Sequence, residues 1–380
     1  MKLGVAGIFK NEFDYILEWI AYHQLAGVDR FFIADNISND GSSQLLEALD
    51  YLGVINRIYF PRIGDGGPQA PAYNHILHRY GSEVDLLGFI DADEFMVSTN
   101  NLSLKENLFD FASIEDAGAL ALNWRNFGSS RRKFKGEGLV IERFLRASQK
   151  NHIANRHIKT VLKPSMARRM NIHECILESG RYYSGNLEPT VFEKGTSFEP
   201  KTIEVLYDRI RINHYVVKSR QEHIMNKEWK GSGGGSARRQ KGEAYFKDHD
   251  LNDELDDALA CFAGDVKRRI ENLRERLSTE SPYLCFGKAH VNVMPKLVGG
   301  WAVSEFEGPL KIRLLINGEE YLVNVDHERP DVFRKGISNR RHCGFSFRPD
   351  RVLTSQDKIE AYIYGTSISA KVNYSLESAS

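Results

Sequence analysis

Along the first ninety residues, short apolar runs alternate with segments whose apolar positions recur at helical spacing. LGVAGIF (3–9) predicts a first strand, after which Phe13, Ile16, Leu17 and Ile20 mark one face of a helix that stops at Gly27. DRFFIAD (29–35) predicts a second strand, GSSQLLEALDYLG (41–53) a second helix and VINRIYF (54–60) a third strand. AYNHILHRYG (72–81) and DLLGFID (85–91) add a third helix and a fourth strand. Strands that are apolar throughout and separated by helices predict an α/β fold with a parallel sheet covered on both faces. Beyond residue 100 the pattern loosens. LSLKENLFDFA (102–112) predicts a helix and AGALALNWRNFG (117–128) a strand running into a loop, while GLVIERFL (138–145) and HIKTVLKP (157–164) read as extended. A strand then passes into a helix in the stretch that opens DRIRINHYVVKS.

Later in the chain the character changes twice. DELDDALACFAGDVKRRIENLRERL (253–277) is charged and helix-like, and from Tyr283 onward short Val/Ile/Leu/Tyr-rich runs are broken by turns such as NGEE (317–320). This predicts a first domain over 1–250, a helical linker over 251–280 and a β-sandwich over 281–380. GSGGGS (231–236) has the composition of a flexible connector, either a natural loop or an engineered insertion.

In parallel α/β sheets, ligands bind beyond the carboxyl ends of the strands. Three polar clusters fall there: KNE (10–12), DNISNDGS (35–42) and DADEF (91–95). Asp91 and Asp93, spaced i and i+2 in extended backbone, point to one side and can chelate a hard divalent cation, while Glu94 turns aside to brace the loop. Without such a cation the like charges repel, so Asp91→Asn and Asp93→Asn are expected to leave the apo protein as stable or more so. Asp35 and Asn36 suit recognition of a base or ribose, with Asn11 and Glu12 completing that wall. Asp40 fits either a ligand contact or a helix cap, and Glu12 either role as well.

Lys plus Arg and Asp plus Glu both number 51 in the 380 residues, so no global basic field exists to attract nucleic acid or an anionic membrane, and any anion recognition must be local. Cys175, Cys261, Cys285 and Cys343 lie far apart without a CxxC pair and read as reduced, buried thiols. The first residues look like a strand, not a signal peptide, and no window approaches the ~20 apolar residues of a membrane span. These features predict a cytoplasmic protein, soluble or peripheral at the inner membrane.

The collinear series KNEFDYILEWIAYHQLAGVDRFFIADNISNDGS, QAPAYNHIL, DADEF, NWRNFGSS, GLVIERF, HIKTVLKP and INHYVVKS resembles bacterial glycosyltransferases related to families 2 and 92 over roughly residues 1 to 250. The resemblance implies a GT-A-type, nucleotide-sugar-binding (Rossmann-like) domain. It also implies an inverting, metal-dependent transfer of a sugar from a nucleotide sugar, UDP-linked, to a glycan or glycolipid acceptor in surface polysaccharide synthesis. Asp91 and Asp93 would hold Mn²⁺ or Mg²⁺ against the diphosphate, with His214 as third ligand and His173 as its rival. Lys218 and Arg220 would face the phosphates, and Gln69 and Asn74 would lie near the nucleotide. Trp124, Arg125 and Phe127 would receive the acceptor, since aromatic faces suit the apolar side of a sugar ring.

For the general base the family motifs offer no direct match, leaving Glu174 and Glu142 as candidates. His214, Trp124, Asn74 and both glutamates each have a purely structural alternative. The last hundred residues are similar to a β-sandwich that accompanies bacterial glycosyltransferases, implying recognition of an acceptor glycan or partner protein, or a stabilising role. Two other functions fit less closely: a non-catalytic glycan-binding protein, and a sugar-phosphate nucleotidylyltransferase, whose glycine-rich loop is replaced here by KNEF.

Overall fold

The computed structural model describes residues 1–38, 40–61, 67–193, 200–224, 241–281, 287–304, 310–338, 340–364 and 368–375. GSGGGS (231–236) and Cys285 lie outside the described residues. The chain divides into two compact units, Met1–Thr279 and Glu280–Ser380.

In the first unit the opening alternation folds as β1 (Leu3–Phe9), α1 (Phe13–Leu25), β2 (Arg30–Asp35), α2 (Ser42–Tyr51), β3 (Asn56–Tyr59), α3 (Gln69–Tyr80) and β4 (Leu86–Phe89). Gly27, at φ 95°, ends the first helical segment in the left-handed region that only glycine enters freely. There follow β5 (Glu94–Ser98), α4 (Leu104–Ala112), β6 (Ala117–Asn126), the single turn α5 (Val140–Arg143), β7 (Arg146–Ala147) and β8 (Ile158–Leu162). Short strands β9 (Ala167–Met170), β10 (Cys175–Leu177) and β11 (Arg181–Ser184) lead to β12 (Ile210–His214), α6 (Arg220–Glu222), α7 (Glu243–His249), β13 (Glu254–Leu255) and α8 (Ala263–Glu280). The main sheet runs β3-β2-β1-β4-β8-β6-β12-β5, with β11 beside β6.

β1 to β4 are mutually parallel, and β6 pairs parallel with β11 and β12; β8 runs antiparallel to β4 and β6, and β5 antiparallel to β12. The expected all-parallel sheet is therefore a mixed one. At DADEF, β4 ends at Phe89 and β5 starts at Glu94, and the four residues between them are too few for the crossover a parallel strand requires, so β5 returns in the opposite direction. All the strand ends that matter still meet at one edge. The carboxyl ends of β1, β2, β4, β6 and β12 share it with the amino ends of β5 and β8.

Two other segments depart from expectation. GLVIERFL is no strand, because the buried carboxylate of Glu18 on α1 accepts the N–H groups of Val140 and Ile141 at 2.8 and 3.1 Å and so nucleates α5. In the 253–277 segment the helix starts only at Ala263, since Glu254 and Leu255 pair with β7. Val266, Ile270, Leu273 and Leu277 of α8 are buried, and the first compact unit runs on to Thr279, taking in the segment expected as a helical linker up to that residue. Cys175 and Cys343 are buried but Cys261 is exposed, contrary to the reading of all four as buried.

The second unit has a five-stranded and a three-stranded sheet sharing one apolar core that includes Val291, Val293, Ile312, Leu314, Phe345 and Ile359. Asn317 and Gly318, both at positive φ, form the tight hairpin that NGEE predicts. No helix among the described residues is long and apolar enough to cross a membrane.

Candidate active site

The rim is assembled by hydrogen bonds between its separate segments. The N–H groups of Asn11 and Glu12 donate to Ser38 Oγ and Ser42 Oγ, both at 2.9 Å. Asp40 accepts from the first N–H of α1, at Phe13, and from Ser42 N–H, so both its oxygens serve as caps. Asp35 is fully buried: Arg57 grips one oxygen through two N–H groups and Ser43 Oγ donates to the other. Its expected contact with a base or ribose is thus replaced by a structural ion pair, while Asn36 is buried beside it.

The acidic turn after β4 answers its own charge problem. Lys159, on β8 and only 1% exposed, donates to Asp91 Oδ2 at 2.7 Å and lies 3.5 Å from Glu94 Oε2. Gln69 and Tyr73 of α3 donate to Asp91 Oδ1 at 2.8 and 3.1 Å. Glu94 accepts the Asp91 N–H, and the Trp19 indole N–H bridges the carbonyls of Asp91 and Glu94. Burial pushes the Asp91 carboxyl up, but the Lys159 ammonium outweighs it and holds the group below its usual range. Glu94 is pushed to about 8, chiefly by burial, with Asp91 and Asp93 adding to the rise and Lys159 opposing it. At neutral pH Glu94 is therefore protonated, and one lysine neutralises Asp91.

This leaves a readable pH signature. Folded Glu94 keeps its proton up to about pH 8 and folded Glu18 up to about 7, whereas both lose it near 4.5 when unfolded. His23 and His173, held neutral by burial down to about 3, act in the opposite sense below their ordinary 6.5. Above 6.5 the histidine contribution fades while the two glutamates still leave the folded state with more bound protons than the unfolded state, so their contribution to stability falls as pH rises. Melting temperatures without metal or nucleotide should drop between pH 6.5 and 8, and Glu94→Gln should flatten much of that drop. An equal slope in the variant would refute the assignment.

Across the rim from Asp91 lies an aromatic cluster. The Trp124 ring stacks on His157 and packs against His214 and His173, with centroid distances of 5.0, 4.4 and 5.6 Å. Asn126, two residues on along β6 and hence on the same face, donates through Nδ2 to Asn155 and presents Oδ1 to His214 Nδ1 at 3.0 Å. That oxygen can only accept, so Nδ1 carries a proton and Nε2 is the nitrogen turned toward Asp93 Oδ1, 3.8 Å away. His173 donates from Nδ1 to the Ile158 carbonyl, and burial, reinforced by Lys159, pushes its pKa down to about 3.

Several residues expected at the site serve elsewhere. Arg125 and Phe127, on the opposite face of β6 from Trp124, respectively bind Glu254 and Asp256 and fill the core against Tyr215. Asn74 clamps Met170 through both its N–H and C=O groups. Arg220 pairs with Glu243 and covers the Phe246 ring, so it is spent on α7. Lys218, at φ 55°, lies over the Tyr15 ring at 4.2 Å. Glu142 caps α5 and pairs with Lys267; burial raises its pKa, but those partners win and hold it low. A carboxylate so held cannot serve as the base. Glu174 is half-buried, accepts from Asn171 and adjoins His173.

Among the described residues no three His, Cys, Asp or Glu side chains gather as a cage for a metal ion, and Asp91 is already neutralised by Lys159. Asp91 is thus engaged by Lys159, and His173 is bonded through Nδ1 to the Ile158 carbonyl just as His214 is bonded through Nδ1 to Asn126. Asp93 and His214 do fit: two acceptors face each other at 3.8 Å, a span suited to ligands about 2.1 Å from one ion. Mg²⁺-like ions bound by one or two protein ligands take the rest from substrate phosphates and water.

Residues 3–226 match Glycosyltransferase family 92. The chain belongs to glycosyltransferase family 92. A family 92 protein of Oryza sativa subsp. japonica is 30% identical over 141 residues, which are 37% of this chain and 24% of the relative. One of Arabidopsis thaliana is 29% identical over 138 residues, 34% of this chain and 24% of the relative. The chain thus spans about a quarter of these curated relatives, which are plant proteins, whereas the sequence reading pointed to bacterial ones. Among solved structures, Staphylococcus aureus TarS 1-349 in complex with UDP-GlcNAc is similar at 20% identity and TM-score 0.28, covering 44% of this chain and 46% of that one. The mannosyltransferase PcManGT of Pyrobaculum calidifontis, in complex with GDP-Man and Mn²⁺, is similar at 14% identity and TM-score 0.28, covering 43% and 45%. The family 92 unit has an α/β fold, four parallel strands continued by a mixed sheet with its polar residues on one rim.

Sequence reasoning missed Lys159, Tyr73, Asn126 and His157 in this family 92 site. Lys159 carried a signal, being a lone cation in the apolar strand IKTVL. A buried ammonium needs a carboxylate, and DADEF holds the surplus.

Proposed function

We propose that this chain is a metal-dependent, inverting glycosyltransferase that transfers a sugar from a nucleotide sugar, UDP-linked, to a glycan acceptor. The carrying observation is the Asp93–His214 pair, two acceptors facing across 3.8 Å on the rim where open α/β sheets bind ligands. Asn126 fixes the His214 tautomer, so the ring offers a lone pair without a rearrangement. A bound Mn²⁺ or Mg²⁺ would offset the charge that gathers on the departing diphosphate.

The remaining work falls to the protein. Lys159, Gln69 and Tyr73 hold Asp91 and hence the turn that aims Asp93. Trp124, backed by His157, offers a ring against which a sugar can lie, and the Lys218 ammonium adds positive charge over Tyr15 of α1. Glu174 is the base we propose for the acceptor hydroxyl, since its neighbour His173 packs against Trp124.

Calorimetric titration of UDP tests the reading. Binding should require added Mn²⁺ or Mg²⁺ and should vanish with EDTA and in Asp93→Ala. Binding of equal strength with and without metal would refute the metal-dependent assignment.

A further inference from the structure

Beyond the rim, the loop SSRRKFK (129–135) combines cations with an exposed aromatic ring on a backbone that is firmly held. Phe134 is 71% exposed, the highest value for any large apolar side chain among the described residues. The loop cannot fold over to hide it. Ser129 and Ser130 N–H groups donate to Asp250 and Asn252, and the carbonyls of Arg132 and Lys133 accept from Arg220 and Gln221. Lys135 N–H donates to Gln221 Oε1, its ammonium pairs with Asp14, and Arg132 Nε donates to the Arg143 carbonyl. Ser130 and Arg131, both at positive φ, make the bend that turns the tip outward. Pinned on both flanks, the loop presents Phe134 to solvent with Arg131, Arg132 and Lys133, all exposed, beside it.

Charge separates this loop from the rest of the chain. Residues 128–138 carry Arg131, Arg132, Lys133 and Lys135 against Glu137 alone, although the chain has a formal net charge of zero. An apolar wedge ringed by basic side chains complements the boundary of an anionic bilayer, where the ring leaves water and the cations meet phosphate headgroups. A polyanion without an apolar layer would use the charges but give the ring no place to go. Position agrees with this. The loop follows the carboxyl end of β6 and is bonded to residues 220 and 221, just beyond β12, so it projects from the edge that carries Asp93, Trp124 and His214.

We propose that residues 131–135 dock this protein reversibly on an anionic phospholipid surface, with Phe134 as the inserted side chain and Arg131 and Lys133 as the principal headgroup contacts. Docking would set the rim at headgroup level, where a lipid-linked acceptor is presented. The inference does not depend on the transfer chemistry.

Co-sedimentation of the full chain with vesicles tests it, comparing phosphatidylcholine with an equimolar phosphatidylcholine–phosphatidylglycerol mixture. The protein should sediment with the anionic vesicles only, less so as salt rises. Phe134→Ser and the double variant Arg131→Glu/Lys133→Glu should each lower the partition coefficient by about tenfold or more. Melting temperature and metal-dependent UDP binding should stay as in the parent, which separates loss of docking from misfolding and from failure of the enzymatic reading. Absence of binding to anionic vesicles, binding undiminished in both variants, or binding to heparin but not to vesicles would each overturn the proposal.

Discussion

Asp93→Ala is expected to lower kcat/KM for sugar transfer by about a thousandfold or more, with a change in stability of less than about 1 kcal/mol. The reason for the first part is that Asp93 Oδ1 lies 3.8 Å from His214 Nε2, the pair proposed to hold the metal ion, whereas Lys159 occupies Asp91. The reason for the second is that its carbonyl, which accepts Tyr215 N–H at 2.9 Å, is kept in alanine. Asn126→Ala gives a graded control. Without its Oδ1 the His214 ring loses its tautomer preference, and loss of an orienting partner of this kind typically costs about 10- to 100-fold. Excess Mn²⁺ should then restore part of the Asn126→Ala activity and none of that of Asp93→Ala. Donor hydrolysis across a panel of nucleotide sugars is the measurement, and Asp93→Ala within fivefold of the parent, a margin of about 1 kcal/mol, would remove Asp93 from the chemistry.

The first ninety residues were legible because each element there is decided locally. Apolar runs, helical spacing and glycine stops mark the elements within two or three residues of where they lie, as for β1 and α2. What was hidden depends on partners distant in sequence. β5 exists because Glu94 to Ser98 pair with β12, more than a hundred residues on, and α5 because Glu18 supplies its missing acceptors. At the candidate site the same division holds. Taking NWRNF as one block assigned Arg125 and Phe127 to the acceptor, whereas the two-residue repeat of a strand puts Trp124 and Asn126 on one face and those two on the other.

Lys159→Met should destabilise the protein by about 2–3 kcal/mol, short of the ~3–5 kcal/mol for breaking a fully buried pair because the Asp91 side chain is 33% exposed. The variant keeps the length of the side chain, so the loss reports charge and not a cavity. Asp91→Asn is the instructive partner. Repulsion among Asp91, Asp93 and Glu94 suggested from sequence that this change would be neutral or stabilising; the Lys159 pair reverses the sign. Its cost should nonetheless be smaller than that of Lys159→Met, because Glu94, 3.5 Å from the same ammonium, can give up its proton and become the counter-ion. Two consequences follow from that exchange. In Asp91→Asn the fall in stability between pH 6.5 and 8 should shrink, since Glu94 is then ionised below that window. In the double variant Lys159→Met/Asp91→Asn neither charge is stranded, and its loss should be less than the sum of the two single losses by about 1–2 kcal/mol. Urea unfolding of the four proteins closes the cycle, and strict additivity would mean that the lysine and the aspartate do not depend on each other.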